Sequence, residues 1–287
     1  MPDISAGKIL MAVGFFAASM LTATLSATPA AADIPNRDVV DASTAPSVAN
    51  KAVTASCDPG QQIIGTGAWV AGGGGDVRIT EMRPGVNSQG IYYLYVAAAV
   101  DEDGTSNTWS LHASAICADP LPGLEIVPAT STPASDPANP SISARCTGAR
   151  KLLGAGYKIN DGFGQVGIDD FRVFSGSVAA VAREDDTGFA TSWSVTAYAI
   201  CADPLPGLQI VERIGAFQSD YVNTVNARCP DGQKITGGGG MIEGGLGQVI
   251  LEDLTNESDR YTVTAFEDDN GWSSTWRVYA YAICADD

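Results

Sequence analysis

The chain has 287 residues, with 16 Lys and Arg against 33 Asp and Glu, and a formal net charge of −17 at pH 7. This length has room for two or three domains of ordinary size and for a substantial hydrophobic core. The acidic balance makes contact with nucleic-acid phosphates or anionic lipids unfavourable, so we expect no nucleic-acid partner.

The N-terminal segment has the pattern of a targeting signal. Lys8 is followed by an apolar run from Ile9 to Leu25, and small residues end in Ala30-Ala31-Ala32. This pattern predicts a signal peptide over residues 1–32, cleaved after Ala32. An uncleaved membrane anchor is the alternative, since the run is near the lower length limit for a bilayer span. The Ala-x-Ala ending favours cleavage, so we expect a secreted or cell-surface protein without a membrane span in its mature chain.

One strand-like stretch occurs three times along the chain. Its copies read Trp109-Ser-Leu-His-Ala-Ser-Ala-Ile-Cys117, Trp193-Ser-Val-Thr-Ala-Tyr-Ala-Ile-Cys201 and Trp276-Arg-Val-Tyr-Ala-Tyr-Ala-Ile-Cys284. Each copy alternates with period two, which places its Trp and its Cys on one face of a β-strand. About 84 residues separate equivalent positions. The pattern predicts an all-β protein of three repeats, over residues 33–121, 122–205 and 206–287.

Two glycines recur at matching places inside a predicted strand of each repeat: Gly65 and Gly67, Gly154 and Gly156, Gly237 and Gly239. Glycine weakens a strand unless a bulge or a close neighbour requires it. We therefore expect the repeated Trp to lie across these glycines.

Two architectures fit about six strands per repeat. In the first, each repeat is its own disulfide-linked antiparallel sandwich or small barrel, and short proline-containing joints at 118–123 and 202–207 connect the three. In the second, the repeats contribute to one pseudo-threefold β-prism. We favour separate modules, because about 84 residues can bury a core alone.

Six cysteines suit an oxidising compartment. Cys57, Cys146 and Cys229 occupy one equivalent position in the repeats, and Cys117, Cys201 and Cys284 occupy another. This favours disulfides within repeats, namely Cys57–Cys117, Cys146–Cys201 and Cys229–Cys284. Pairing Cys117 with Cys146 and Cys201 with Cys229 is a second symmetric scheme, which would link neighbouring repeats. A metal site is a weaker option, since the chain has no Cys-x-x-Cys and one His.

The third repeat carries a resemblance to a known kind of module. Its Cys229-Pro-Asp-Gly-Gln-Lys-Ile-Thr-Gly-Gly-Gly, with Trp276-x-Val-Tyr-Ala-Tyr-Ala-Ile-Cys-Ala285 later, resembles an exported β-module of actinobacterial secreted proteins. The first repeat reads Cys57-Asp-Pro-Gly60 there, and the second reads Cys146-Thr-Gly-Ala149 without proline. The resemblance implies an exported β protein and brings no catalytic motif. A weaker architectural analogy links the threefold, disulfide-bearing organisation to the β-prism of vitelline-membrane-outer-layer proteins.

Acidic turns precede the Trp strand in every repeat. They offer the oxygen ligands that calcium prefers, although their spacing does not match an EF-hand loop and hairpin turns use the same residues. The calcium candidates are Asp101, Asp103, Glu184, Asp185, Asp186, Glu267, Asp268 and Asp269. We expect no other cofactor.

Catalysis has little support in the sequence. His112 is the single histidine, and Thr196 and Tyr279 replace it in the other repeats, so a His-based site would exist in one repeat only. The glycine runs 72–75 and 237–240 lack the Lys-Ser/Thr ending of a phosphate-binding loop. We therefore predict no catalytic residues.

Aromatic residues suggest binding instead. Tyr198, Tyr279 and Tyr281 lie opposite the Trp face of their strands and form a possible binding face, unless they pack between repeats. Tyr92, Tyr93, Tyr95 and Trp272 are expected in or near loops. We predict a secreted, non-catalytic binding or structural protein of the cell envelope or extracellular space, whose partner is a polysaccharide, the cell wall or a protein. A secreted hydrolase or hydrolase inhibitor that uses one diverged repeat is the alternative.

Overall fold

A computed structural model describes residues 34–101, 103–134, 139–268 and 271–286. These residues form eighteen β-strands in three six-stranded antiparallel sheets, which confirms the all-β prediction. In the described part of the chain, no helix is long and apolar enough to cross a membrane. The predicted signal peptide, residues 1–32, lies outside the described residues.

Each repeat supplies six strands. The first repeat contains β1 (Asp38–Ser43), β2 (Lys51–Ser56), β3 (Gln62–Ala71), β4 (Val77–Val86), β5 (Tyr92–Val100) and β6 (Ser110–Ala118). The second contains β7 (Glu125–Thr130), β8 (Ser141–Arg145), β9 (Lys151–Asn160), β10 (Val166–Phe174), β11 (Ser177–Glu184) and β12 (Ser194–Ala202). The third contains β13 (Gln209–Ile214), β14 (Val222–Arg228), β15 (Gln233–Glu243), β16 (Val249–Asn256), β17 (Arg260–Glu267) and β18 (Arg277–Asp286).

Every sheet is shared between two repeats. The strand orders are β1-β6-β3-β16-β17-β14, β2-β5-β4-β9-β12-β7 and β13-β18-β15-β10-β11-β8. Each repeat therefore gives its first, third and sixth strands to one sheet and its second, fourth and fifth strands to another. Our preference for separate modules is wrong, and the structure has the shared, pseudo-threefold arrangement. The physical reason is that the half-sheet of a single repeat would leave the edge of its third or fourth strand unpaired.

The borders between repeats within a sheet are called seams below, and each is named by its two strands. At the β4–β9 seam, Glu81 pairs with Lys158 and Met82 with Tyr157. The β10–β15 and β16–β3 seams have the same two-pair ladder. Each seam is therefore a short antiparallel pairing of the fourth strand of one repeat with the third strand of another.

The first glycine of each pair lies where the three repeats meet. A Cβ on Gly65 would lie 1.9 Å from the carbonyl oxygen of Thr236, and one on Gly154 would lie 2.3 Å from that of Ile64. A Cβ on Gly237 would lie 2.7 Å from the Cα of Gly154. These distances are too short for any side chain, so the close approach of β3, β9 and β15 requires glycine.

The second glycine of each pair lies at a seam. Cβ atoms on Gly156 and Gly239 would lie 2.3 Å and 2.2 Å from carbonyl oxygens of the paired strand in the preceding repeat. The nearest atoms to both sets of glycines thus belong largely to other repeats, and the expectation that the repeated Trp covers them is wrong. A sequence repeat shows that a glycine recurs, but it does not show which backbone approaches it.

The three repeated tryptophans are fully buried in the core. Trp193 and Trp276 donate their indole N–H to Glu184 and Glu267, the latter over 2.9 Å. These bonds satisfy a polar group that would otherwise be costly to bury. In the first repeat, Trp109 instead has the ammonium of Lys51 4.3 Å from its ring centroid.

The three disulfides join Cys57 to Cys117, Cys146 to Cys201 and Cys229 to Cys284, as predicted. In each repeat the bridge links the end of the second strand to the sixth strand. Those strands belong to different sheets, so each bridge holds two sheets together at a corner of the fold. Sheets that are shared between repeats therefore do not require disulfides between repeats.

The segment after the predicted cleavage site takes the place of an inter-repeat joint. Ile34 is buried, and Asn36 has a positive φ of 50°, as Gly123 and Gly207 do in the two joints. Three equivalent backbone hydrogen bonds mark the correspondence: Asp119 N to Pro35 O, Asp203 N to Pro122 O and Asp286 N to Pro206 O. Residues 34–36 therefore complete the third corner of the fold.

We predict that Gly154→Ala lowers the free energy of unfolding by about 2–4 kcal/mol, because the new Cβ overlaps the backbone of the first repeat. Gly176→Ala is the matched control, since a Cβ there meets nothing within 4 Å. Denaturant titration of both variants measures the difference. Equal stability of the two would contradict the proposed close approach.

Candidate binding grooves at the seams

A β-bulge lies beside each seam. The ladder register shifts between Ile79 and Glu81, and equivalent shifts occur in β10 and β16. The extra residues at these bulges are Thr80, Asp169 and Glu252. Bulges redirect side chains and often border functional sites, so the three seams are natural places to look for a binding site.

A turn from the neighbouring repeat packs over each seam. The turns are residues 72–75, 161–164 and 244–247, and their last glycines, Gly75, Gly164 and Gly247, have φ values of 91°, 87° and 91°. A Cβ on Gly164 would lie 2.2 Å from the carbonyl oxygen of Val100, and equivalent overlaps occur at the other two glycines. Each turn is therefore fixed against the end of the fifth strand of another repeat.

The β4–β9 seam has an open groove of about 470 Å³. Its lining residues are Asn50, Lys51, Ala52, Thr80, Tyr95, Ala97, Ala98, Ala99, Ile159, Asp161, Gly162 and Phe163. Ala97 and Ala99 of β5 lie on the same face of the strand, and their short side chains leave this space empty. An aromatic ring, an aliphatic side chain and several hydrogen-bonding groups border it, which is the usual composition of a small-molecule site.

Phe163 stands at the tip of the turn over this groove. It has a positive φ of 47° and is 72% exposed, and its ring packs edge-on against Phe189 at a centroid distance of 6.3 Å. Gly74 occupies the equivalent tip in the first repeat. A bulky residue in the left-handed region is unfavourable, so this position carries an exposed aromatic ring where glycine would suit the backbone better.

The aromatic surface continues from the groove along β5. Tyr93 and Tyr95 lie half-buried on one face, with the Arg83 guanidinium 5.8 Å and 5.2 Å from their ring centroids. Arg83 also donates to the Tyr93 hydroxyl over 2.9 Å and pairs with Glu81. These tyrosines are on a strand, so the expectation that they lie in or near loops is wrong. The ion pair fixes Arg83, and Arg83 in turn fixes both rings.

The equivalent space at the β10–β15 seam is smaller, about 220 Å³. Arg183 takes the place of Ala99 there, and its Nε donates to Asp169 over 2.8 Å. Burial raises the pKa of Asp169 to about 6, although Arg183 opposes that shift. The arginine thus fills part of the space that an alanine leaves open at the β4–β9 seam.

Two aromatic side chains pack together at the β16–β3 seam. Phe266 takes the position of Ala99, and Tyr221 packs edge-on against it at 5.9 Å between ring centroids. The Tyr221 hydroxyl donates to the carbonyl of Gly74 in the turn over this seam. Beneath the turn lies Glu252, 1% exposed, whose pKa burial and the neighbouring Asp253 raise to about 8.

The acidic turns gather around a buried arginine. Arg78 is 2% exposed and contacts the carboxylates of Asp185 at 3.0 Å and Asp268 at 3.2 Å, one from each of the other repeats. Gly167 and Ile250 hold the positions equivalent to Arg78. A single guanidinium therefore pairs with two of the predicted calcium ligands.

The other calcium candidates have varied surroundings. Glu184 and Glu267 accept hydrogen bonds from tryptophans, and Asp101 accepts one from the Gly104 N–H within its own turn. Asp103 and Asp186 are exposed, and Asp269 lies outside the described residues. Among the described side chains, no group of three or more His, Cys, Asp and Glu is placed to hold a metal ion.

The predicted tyrosine face offers little accessible surface. Tyr279 is 8% and Tyr281 4% exposed, and their hydroxyls meet Glu243 and Arg172. Tyr198 is half-buried. Tyr281 thus packs against a polar neighbour across the β10–β15 seam, whereas Tyr279 contacts Glu243 of its own repeat.

His112 lies on the outer side of β6, where its ring stacks on Trp69 with a centroid distance of 4.6 Å and an interplanar angle of 9°. Its Nε2 is 3.0 Å from the Ser110 hydroxyl. Partial burial lowers the pKa of His112, and Asp41 opposes this effect. Ser110 pairs with Ala71 of β3, and the Leu111 N–H donates to the Thr44 hydroxyl over 3.0 Å, so this amide is not free to form an oxyanion hole beside Ser110.

Comparison with known proteins adds no assignment. No protein-family model matches the chain, and no curated protein matches it.

We predict that stability rises on acidification, because carboxyls with raised folded-state pKa values hold protons that the unfolded chain releases. The stabilising contribution of Glu252 is fully present below about pH 4.5, and it is lost as the pH rises through about 8. Asp169 and Asp253 contribute in the same direction between about 3.8 and 6.

Denaturant titrations at several pH values test this dependence with the wild type and Glu252→Gln. The free energy of unfolding of the wild type should fall by on the order of 1–3 kcal/mol between about pH 5 and pH 8, and that of the variant should fall by less. Identical pH profiles would show that the Glu252 carboxyl does not titrate as described.

Proposed function

We propose that the mature chain is a secreted, non-catalytic binding protein that holds a polysaccharide in the groove at the β4–β9 seam. The observation that carries the proposal is the combination of an open groove with the aromatic rings of Tyr95 and Phe163 at its border. Flat aromatic rings pack well against the apolar faces of sugar rings, and their edges leave the sugar hydroxyls free for polar neighbours.

Polar groups in the groove support a sugar ligand. Asp161 is exposed and has no hydrogen-bond or ion-pair partner among the described residues, so its carboxylate is free to accept hydroxyl hydrogens. The Asn50 side-chain oxygen accepts from the Val100 N–H, which fixes the orientation of the amide. These groups offer both acceptors and donors beside the rings.

The arrangement of carboxylates supports binding rather than hydrolysis. Glycoside hydrolysis requires two carboxyl groups about 5–10 Å apart across a groove. Asp161 is the one carboxylate among the residues that line this groove. Glu81, close by, is committed to Arg83.

A hydrolase that uses one diverged repeat remains the alternative, and the Ser110–His112 contact in the first repeat is the observation in its favour. The stacking of His112 on Trp69 and the engaged amide of Leu111 weigh against it. Loss of a hydrolytic activity in Ser110→Ala would support this alternative.

Two independent features support an extracellular location. The sequence predicts a signal peptide, and three disulfides are typical of proteins that fold in an oxidising compartment. The cell envelope or its surroundings would supply the polysaccharide.

The test is retention of the disulfide-bonded mature chain on immobilised polysaccharides and cell-wall fractions, followed by calorimetric titration with the retained glycan. Tyr95→Ala and Phe163→Ala should each weaken binding by about tenfold, equivalent to about 1.4 kcal/mol. Leu246→Ala is the matched control, because Leu246 is an exposed tip residue with positive φ at another seam. Absence of retention, or equal affinity of all variants, would contradict the proposal.

A further inference from the structure

The three seams are built alike but differ at one position of the fifth strand. Ala99, Arg183 and Phe266 are equivalent by strand register, and each lies under or beside the turn of the neighbouring repeat. The alanine accompanies a groove of about 470 Å³ and the arginine one of about 220 Å³, while the phenylalanine packs against Tyr221. This position controls how much space a seam contains.

We infer that each molecule binds one glycan chain, at the β4–β9 seam alone, that Ala99 keeps this seam open, and that the glycan is neutral. This inference rests on the proposed function and adds the ligand class, the stoichiometry and the residue that determines them.

The charged residues that line the groove indicate which class of glycan it can bind. Its lining has one cation, Lys51, and one exposed anion, Asp161. The Lys51 ammonium donates to the carbonyls of Ser47 and Ala49 over 3.0 Å each and to the Ser47 hydroxyl, so its three donors are already used. The lining therefore has no spare cationic donor for a carboxylate or phosphate group.

The surroundings of the groove reinforce this conclusion. Arg83 is paired with Glu81 and lies over tyrosine rings. The chain as a whole has a formal net charge of −17, which repels polyanions at long range. A neutral sugar chain avoids that repulsion and still offers hydroxyl donors to the Asp161 carboxylate.

The stoichiometry follows from the other two seams. At the β10–β15 seam, Arg183 and Asp169 occupy the space beside the turn, and Ala179 replaces Tyr95 in the register. At the β16–β3 seam, the rings of Phe266 and Tyr221 pack edge-on at the equivalent place. Threefold avidity is therefore not expected from the threefold fold.

Calorimetric titration of the disulfide-bonded mature chain tests the inference. One arm uses soluble neutral glucan, mannan and galactan oligosaccharides, and the other uses oligogalacturonate and a phosphorylated glycan. We expect binding in the neutral arm only, with one site per chain and an affinity that changes less than twofold between low and moderate salt.

The variants Ala99→Arg and Ala99→Phe introduce the equivalent residues of the other two seams. Each should weaken binding at least tenfold, while Leu246→Ala binds like the wild type. Thermal unfolding and circular dichroism verify folding, and whichever Ala99 variant retains the wild-type profile is used.

The outcomes separate the two proposals. If no glycan of either arm binds, the proposed function fails and the inference fails with it. If a glycan binds but prefers the anionic arm, occupies two or three sites, or ignores Ala99 substitution, the proposed function stands and the inference is overturned.

Discussion

The structure depends on the close approach of three glycine-containing strands at the centre of the molecule. Gly65, Gly154 and Gly237 leave no room for a Cβ, because each faces backbone or a glycine of another repeat. With any larger residue the three strands would separate, and the two residue pairs that join each seam would be lost with them. The core is thus built between repeats rather than within them, and the disulfides secure its corners.

Shared sheets have a functional consequence. Every seam brings together side chains from two repeats and covers them with a turn that a positive-φ glycine holds in place. The fold thus provides three equivalent seams, which differ at one register position of the fifth strand, occupied by Ala99, Arg183 or Phe266. The three repeats share one arrangement of strands, and the three seams differ in their side chains.

The buried charge cluster shows that the repeats are no longer interchangeable. Arg78 from the first repeat contacts Asp185 of the second and Asp268 of the third, whereas glycine and isoleucine hold its equivalent positions. Three arginines in this space would repel one another at low dielectric, while one arginine can form an ion pair with both carboxylates. A buried ion pair is weak evidence for extra stability. Because Arg78, Asp185 and Asp268 come from three different repeats, their contacts favour one arrangement of the repeats.

Sequence patterns predicted a good part of this fold. Period-two alternation indicated the strands, and the repeated cysteine positions predicted the disulfides correctly. The shared sheets could not be read in the same way, because alternation is identical whether the pairing partner belongs to the same repeat or to the next. For the same reason the neighbours of Gly65 and Gly154 cannot be read from the sequence, nor can the choice between a binding face and packing for Tyr279 and Tyr281, which are largely buried. The sequence alone does not reveal the groove. The groove exists because Ala97 and Ala99 are shorter than the residues at equivalent positions, and those positions are defined only by the strand register.

Each repeat supplies half of the strands of two different sheets, and it is not a module that folds alone. The most direct measurement is the two-dimensional NMR spectrum of residues 122–205 with Cys146 and Cys201 oxidised, recorded together with its oligomeric state. The account predicts the narrow amide dispersion of an unfolded monomer, or a folded spectrum only in an oligomer that restores the missing strand pairings. A monomer with wide dispersion and cooperative unfolding would contradict it.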